Sequence, residues 1–138
     1  MKLLLDTQIF LWLISGDARL PADWRDSIRD AGNEVYLSVV SLWEVIIKHA
    51  LGKLPLSHPP AHYLPTQRVR HQIASLPLDE ASVSHLATLP AAHRDPFDRM
   101  LVCQAIEHGL TIVTVDPAFR VYPAPVLGQP NKAADRPA

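Results

Sequence analysis

The chain has 138 residues, 13 of them basic and 14 acidic, for a formal charge of −1. A hydrophobic share of 48% at so small a net charge excludes a disordered chain and suits one domain with a real core. Near-neutrality excludes a globally basic nucleic-acid binder, and no apolar run approaches the roughly 20 residues of a bilayer span. The opening apolar run is broken by Asp6 and Gln8 and is followed by no small-residue cleavage site, unlike a signal peptide. The single cysteine, Cys103, excludes an internal disulfide framework and a cysteine-rich zinc site, and a soluble cytoplasmic protein is expected. The histidines are assigned no metal.

Residues 2–5 read as a strand that ends at Asp6 and feeds a helix carrying Ile9, Phe10, Trp12 and Leu13. Pro21 opens a second helix to about Ala31, closed by Gly32 and Asn33. Residues 35–39 are a β-branched second strand. Ser41 is the expected N-cap of a helix over 42–51, stopped by Gly52. This helix is apolar nearly all round and is expected to be mostly buried, leaving little open surface for a Glu44–Lys48 pair. The proline-rich segment 54–64 reads as loop or broken helix, and residues 66–72 carry Arg68, Arg70 and His71. Residues 73–78 predict a third strand, placed at an edge by Pro77. Asp79 caps a helix to about Leu89, and Asp95-Pro96 starts another that runs to His108 and stops at Gly109. Residues 111–115 are the clearest strand, ended by Asp116-Pro117, and Val126-Leu127 suggest a last edge strand. The domain is read as residues 1–127, with 128–138 a disordered tail.

Strands alternating with helices imply right-handed βαβ units and a three-layer α/β domain with a mostly parallel central sheet. Such sheets bind ligands beyond the carboxyl ends of their strands. Four acids fall there: Asp6, Glu44, Asp98 and Asp116. Taken singly, Asp6 and Asp116 read as helix caps, Glu44 as half of a surface pair with Lys48, and Asp98 as part of a capping box with Asp95. Helical phase puts Asp98 on the face of Leu101, Val102 and Ala105, and so inward. Two carboxylates about 5 Å apart repel by roughly 3 kcal/mol at an effective dielectric near 20. A divalent cation held by oxygen donors, Mg²⁺ or Mn²⁺, offsets that cost.

LLLDT, SLWE, HRDPFDRMLVCQA and TVDPAF, in this order and spacing, resemble the PIN-domain nucleases and, among them, the VapC toxins of prokaryotic toxin–antitoxin operons. The resemblance covers residues 2–127 and implies a metal-dependent endoribonuclease that leaves 5′-phosphate and 3′-hydroxyl ends. By it, Asp6, Glu44, Asp98 and Asp116 are the catalytic acids, and Asp6, Asp98 and Asp116 hold Mg²⁺ or Mn²⁺. Glu44 would then orient or deprotonate the attacking water, or ligate through one. Asp95 contests the role of Asp98, and Ser41 and Thr114 are supporting residues by position.

Arg94, Arg99, Arg120 and Lys48 flank the acids and are candidates for substrate phosphates. Cys103, mid-helix among apolar residues, is read as core, and Trp12 and Trp43 as packing residues. The family implies a homodimer and a cognate antitoxin whose extended segment covers the cleft. Two further readings stay open: a housekeeping PIN nuclease without an antitoxin, and a PIN-fold binding module without catalysis. A dehalogenase-like phosphatase is disfavoured because it needs an aspartate where Gln8 stands.

Overall fold

Leu3, Leu4 and Leu5 are wholly buried, as a central parallel strand requires. They belong to β1 (Lys2–Leu5) of a computed structural model that describes residues 1–91 and 95–128. β1 pairs with β2 (Glu34–Ser38) on one side and β4 (Thr111–Val113) on the other, and β3 (Ala74–Leu76) lies beyond β2. All three pairings are parallel, with Leu4 opposite both Tyr36 and Ile112. Period-two alternation divides the core. Leu3 and Leu5 pack with Ile9, Phe10, Leu13, Val45 and Leu64 on one face, while Leu4 packs with Leu101, Val102 and Phe119 on the other. The expected three-layer parallel architecture is present.

Among the described residues six helices flank the sheet: α1 (Thr7–Ser15), α2 (Ala22–Arg29), α3 (Val39–Ala50), α4 (Pro60–Arg70), α5 (Glu80–Ser84) and α6 (Pro96–His108). α6 begins as its sequence signals: the Asp95 carboxylate accepts from the Phe97 and Asp98 amides at 2.9 and 3.4 Å, with proline at the first helical position. Gly109, at φ 65°, ends it in the left-handed conformation that a side chain would strain.

Several expectations need correction. α3 starts three residues early, capped by Ser38, whose Oγ accepts from the Val40 amide at 3.0 Å; Ser41 lies inside the helix. The proline-rich segment is not loop throughout, since α4 begins at Pro60 and continues past an internal Pro65. Burial of Leu64 in the core outweighs the amide that Pro65 removes. α5 stops at Ser84 and passes into a 3₁₀ turn over His85–Ala87, short of Leu89. β4 stops at Val113, and the last edge strand reduces to one bridge between Ile112 and Val126.

α3 is also not buried all round. Val39, Trp43, Ile47 and Leu51, four apart, form an exposed stripe along it, with Trp43 55% exposed. Trp43 meets the Phe97 ring edge-on at 4.9 Å, so it is half contact and half surface. Cys103 is buried, as expected. Gly128 lies against the Trp24 ring, and the remainder of the expected tail lies outside the described residues. Among the described residues no helix is long and apolar enough to cross a membrane.

Candidate functional site

Parallel strands aim their carboxyl ends at one edge of the sheet, and the acids gather there. Asp6, Glu44, Asp95, Asp98 and Asp116 line a single open cleft of about 300 Å³, together with Lys48. Asp6 follows β1 directly, Glu44 stands in the second turn of α3, Asp98 in the first turn of α6, and Asp116 beyond β4. Leu11, Leu54 and Val115 supply the apolar wall.

The acids are not equivalent. Asp95 caps α6, and the Asp116 Oδ1 accepts from the Ala118 amide at 2.9 Å, so part of each carboxylate is engaged locally. Asp6 occupies the N-cap position of α1, yet its side chain makes no capping bond. Its Oδ2 instead accepts from the Thr114 hydroxyl at 2.8 Å, and that hydroxyl accepts from the Asp116 amide at 3.0 Å. The first residue past β4 therefore holds the acid that β1 presents.

Glu44 is buried and held at both oxygens. The Thr7 hydroxyl donates to Oε1 at 2.7 Å and lies 2.8 Å from the Ser41 Oγ, while Lys48 Nζ donates to Oε2. Glu44 is off the open surface, as burial of this face of α3 implies, yet the Glu44–Lys48 pair still forms, inside the cleft. Sequence reasoning misses Thr7, although its place directly after Asp6 in LLLDT is an available signal.

Electrostatics mark the cleft as starved of cations. Burial raises the Asp6 carboxyl to about 6, partly opposed by the Thr114 hydroxyl and reinforced by the charge of Glu44. Asp98 is pushed up to about 8, first by burial and then by Asp6, Asp95, Glu44 and Asp116. Burial pulls Lys48 down, but its bond to Glu44 and the charges of Glu44, Asp95 and Asp98 carry it above its ordinary value. Among the described lining residues, five carboxylates share one lysine.

This donor set fits a hard divalent cation: oxygen alone, partly desolvated and short of positive charge. Among the described residues no three acidic or imidazole groups close on one point tightly enough to form a ready-made cage. Such a cleft suits an ion that keeps several waters and takes only one or two carboxylates directly, the habit of Mg²⁺.

The candidate substrate cations are placed unequally. Lys48 lines the cleft, Arg99 and Arg120 do not, and Arg94 lies outside the described residues. Beside the cleft, and sharing Gln8, Leu11 and Leu54 with it, runs a groove of about 410 Å³ past Trp12, Arg19 and Tyr63. Arg19 stacks over the Trp12 ring at 5.0 Å.

Comparison with known proteins agrees with this architecture. The protein is 35% identical, over an 88-residue alignment, to Ribonuclease VapC16 of Mycobacterium tuberculosis; the match covers 55% of this chain and 62% of that relative's length. Among solved structures, VapBC2 of Rickettsia felis, bound to a DNA fragment from its promoter, superposes with a TM-score of 0.67 at 16% identity over 91% of this chain and 96% of that one. DNA-bound VapBC of Salmonella typhimurium gives 0.62 at 21% identity over the same shares, and FitAcB of Neisseria gonorrhoeae 0.57 at 23%, over 90% and 95%. At these identities the structures speak for the fold. The PIN domain family model matches residues 3–125, nearly all of the described chain, and the protein belongs to the PIN-domain family.

Proposed function

We propose that this PIN domain is a metal-dependent endoribonuclease, the toxin of a toxin–antitoxin pair, hydrolysing RNA phosphodiester bonds to 5′-phosphate and 3′-hydroxyl ends. The observation that carries this reading is the cleft itself: five carboxylates at the carboxyl edge of the sheet, two with strongly raised pKa values, compensated by one lysine among the described lining residues. The ribonuclease named among its relatives supports the activity, and the VapBC assemblies that share its fold support an antitoxin partner. An RNA substrate implies a cytoplasmic setting.

Asp6 and Asp98 would hold Mg²⁺ or Mn²⁺, with Asp116 completing the set from beyond β4. The ion, when bound, lowers the pKa of a water and offsets charge on the phosphate under in-line attack. The chain's own residues arrange the rest. Thr114 keeps the Asp6 carboxylate turned into the cleft, and Thr7 and Lys48 fix Glu44 while leaving lone pairs on both of its oxygens to orient a water. Lys48 is the cation among the described lining residues within reach of a substrate phosphate. The groove past Trp12 and Tyr63 would seat the antitoxin segment, since it opens into the acid cleft. The α3 stripe of Val39, Trp43, Ile47 and Leu51 would pair two copies as a homodimer.

The test is cleavage of a mixed RNA pool with Mg²⁺ or Mn²⁺, beside EDTA and an Asp6→Asn variant. Cutting that needs both metal and Asp6 and leaves 5′-phosphate ends supports the reading. Cutting that survives EDTA and Asp6→Asn overturns it.

A further inference from the structure

A further concave surface lies at the opposite, amino-terminal edge of the sheet. It holds about 400 Å³, between the end of α2, the entry to β2 and the turn from α4 into β3. Arg29, Arg70, His71 and Gln72 line it, with Asp30 at its rim. Neither guanidinium has a hydrogen-bond or ion-pair partner among the described residues, and the Asp30 Oδ1 is turned back to the Gly32 amide at 2.8 Å. Burial and the charges of Arg29 and Arg70 hold the His71 imidazole below its usual range.

Each arginine stands in the last turn of a helix, where an exposed cation gains about 0.3–1 kcal/mol from the helix dipole. That explains one cation at each helix end, but not two guanidiniums and an imidazole gathered on one concavity. Gln72 adds a second sign of a built site. It sits at φ 58° just past α4, a left-handed position where a non-glycine residue costs roughly 1–2 kcal/mol. Glycine would relieve that strain; here the position is filled by Gln72, which lines the pocket.

The pocket also answers a problem posed by the acid cleft. Among the described lining residues of the cleft, five carboxylates and one lysine repel a polyanion while no cation is bound, and the whole chain carries a charge of −1. Cations set apart from the cleft add affinity for RNA to what Lys48 and a bound ion supply there. We propose that Arg29, Arg70, His71 and Gln72 form a phosphate-binding site that grips the RNA backbone away from the scissile bond. The guanidinium forks match phosphate oxygens two at a time, and the Gln72 amide and neutral imidazole add donors without further charge. This site rests on the ribonuclease reading for the identity of its polyanion.

The test is binding of a labelled single-stranded RNA in EDTA, followed by fluorescence anisotropy over a range of salt, for the wild type and for Arg29→Ala/Arg70→Ala. Both side chains are exposed, so the variant should fold; an unchanged unfolding transition confirms it. The expected result is binding at least tenfold weaker at low salt. The slope of log K against log salt should also become shallower by about 1.4, at about 0.7 for each single-strand phosphate that the variant no longer neutralises. Arg29→Lys/Arg70→Lys should keep most of the slope. Unchanged affinity and slope, or no RNA binding by the wild type, overturns the proposal. So does unchanged RNA binding with abolished binding to a polyglutamate peptide, which would assign the pocket to an acidic protein segment. Wild-type cleavage with metal separates the two claims: if the wild type cuts RNA while the variant binds it normally, only the pocket proposal fails, and if the wild type cuts no RNA, the ribonuclease reading fails.

Discussion

Thr114 donates its hydroxyl to the Asp6 carboxylate at 2.8 Å, joining residues 108 positions apart in the chain, each one position past the end of neighbouring strands β4 and β1. The same oxygen accepts from the Asp116 amide, so one side chain sets both the first acid and the entry to the last. Thr114→Val keeps the shape and removes the donor. Asp6 should then titrate above its present value of about 6, with a stability loss of about 1–3 kcal/mol at neutral pH from the unsatisfied carboxylate. Carbon-detected NMR titration of Asp6 and urea unfolding check the two effects.

The metal-free protein should become less stable as pH rises. A carboxyl whose pKa is higher in the folded than in the unfolded chain contributes stability below the unfolded value and loses it as pH passes the folded one. For Asp6 that window runs from 3.8 to about 6, and for Asp98 from 3.8 to about 8. Urea midpoints should fall from pH 4 to pH 8, and Asp98→Asn should flatten the upper part of the fall. Saturating Mn²⁺ should raise the midpoint more at pH 8 than at pH 5, because the ion competes with protons for the same oxygens.

How much of this is legible in the sequence follows from range. The strand residues 2–5 and the cap-and-stop signals around α6 are local, and the structure reproduces them. The meeting of the four acids in one cleft also follows, because parallel topology alone determines which end of each strand is shared. Side-chain contacts escape. Nothing in SLWE says that Lys48 turns inward to Glu44, and helical phase alone does not show that Trp43 is left half outside. The helix through Pro65 is missed because the burial of Leu64 is a tertiary effect that no local propensity contains.

Gln104 is fully buried on α6, with its Oε1 accepting from the Ser38 hydroxyl at 2.5 Å and its Nε2 donating to the Pro77 carbonyl at 3.2 Å. It ties α6 to the cap of α3 and to the end of β3. Gln104→Leu leaves the Ser38 hydroxyl and the Pro77 carbonyl without this partner, and a loss of about 1–3 kcal/mol per stranded group is expected. Chemical denaturation reads the change directly, and Ser38→Ala should lose less when combined with it than alone.

Ile47 is exposed in the middle of the α3 stripe. Ile47→Gln should leave monomer stability within about 0.5 kcal/mol, as a surface change does, while weakening self-association. Sedimentation equilibrium across a concentration series checks this: a dimer constant unchanged by the substitution would remove the stripe from the interface.

The central claim is that the acids at the carboxyl edge form a divalent-cation site, and calorimetric titration of Mn²⁺ into the metal-free protein tests it most directly. At neutral pH the account expects one class of sites, weakened at least tenfold by Asp6→Asn or by Asp98→Asn. It also expects proton release on binding, seen as a heat that changes with the buffer, because Asp98 titrates near 8 without the ion. Mn²⁺ binding that both variants leave intact, or none by the folded wild type, would contradict it.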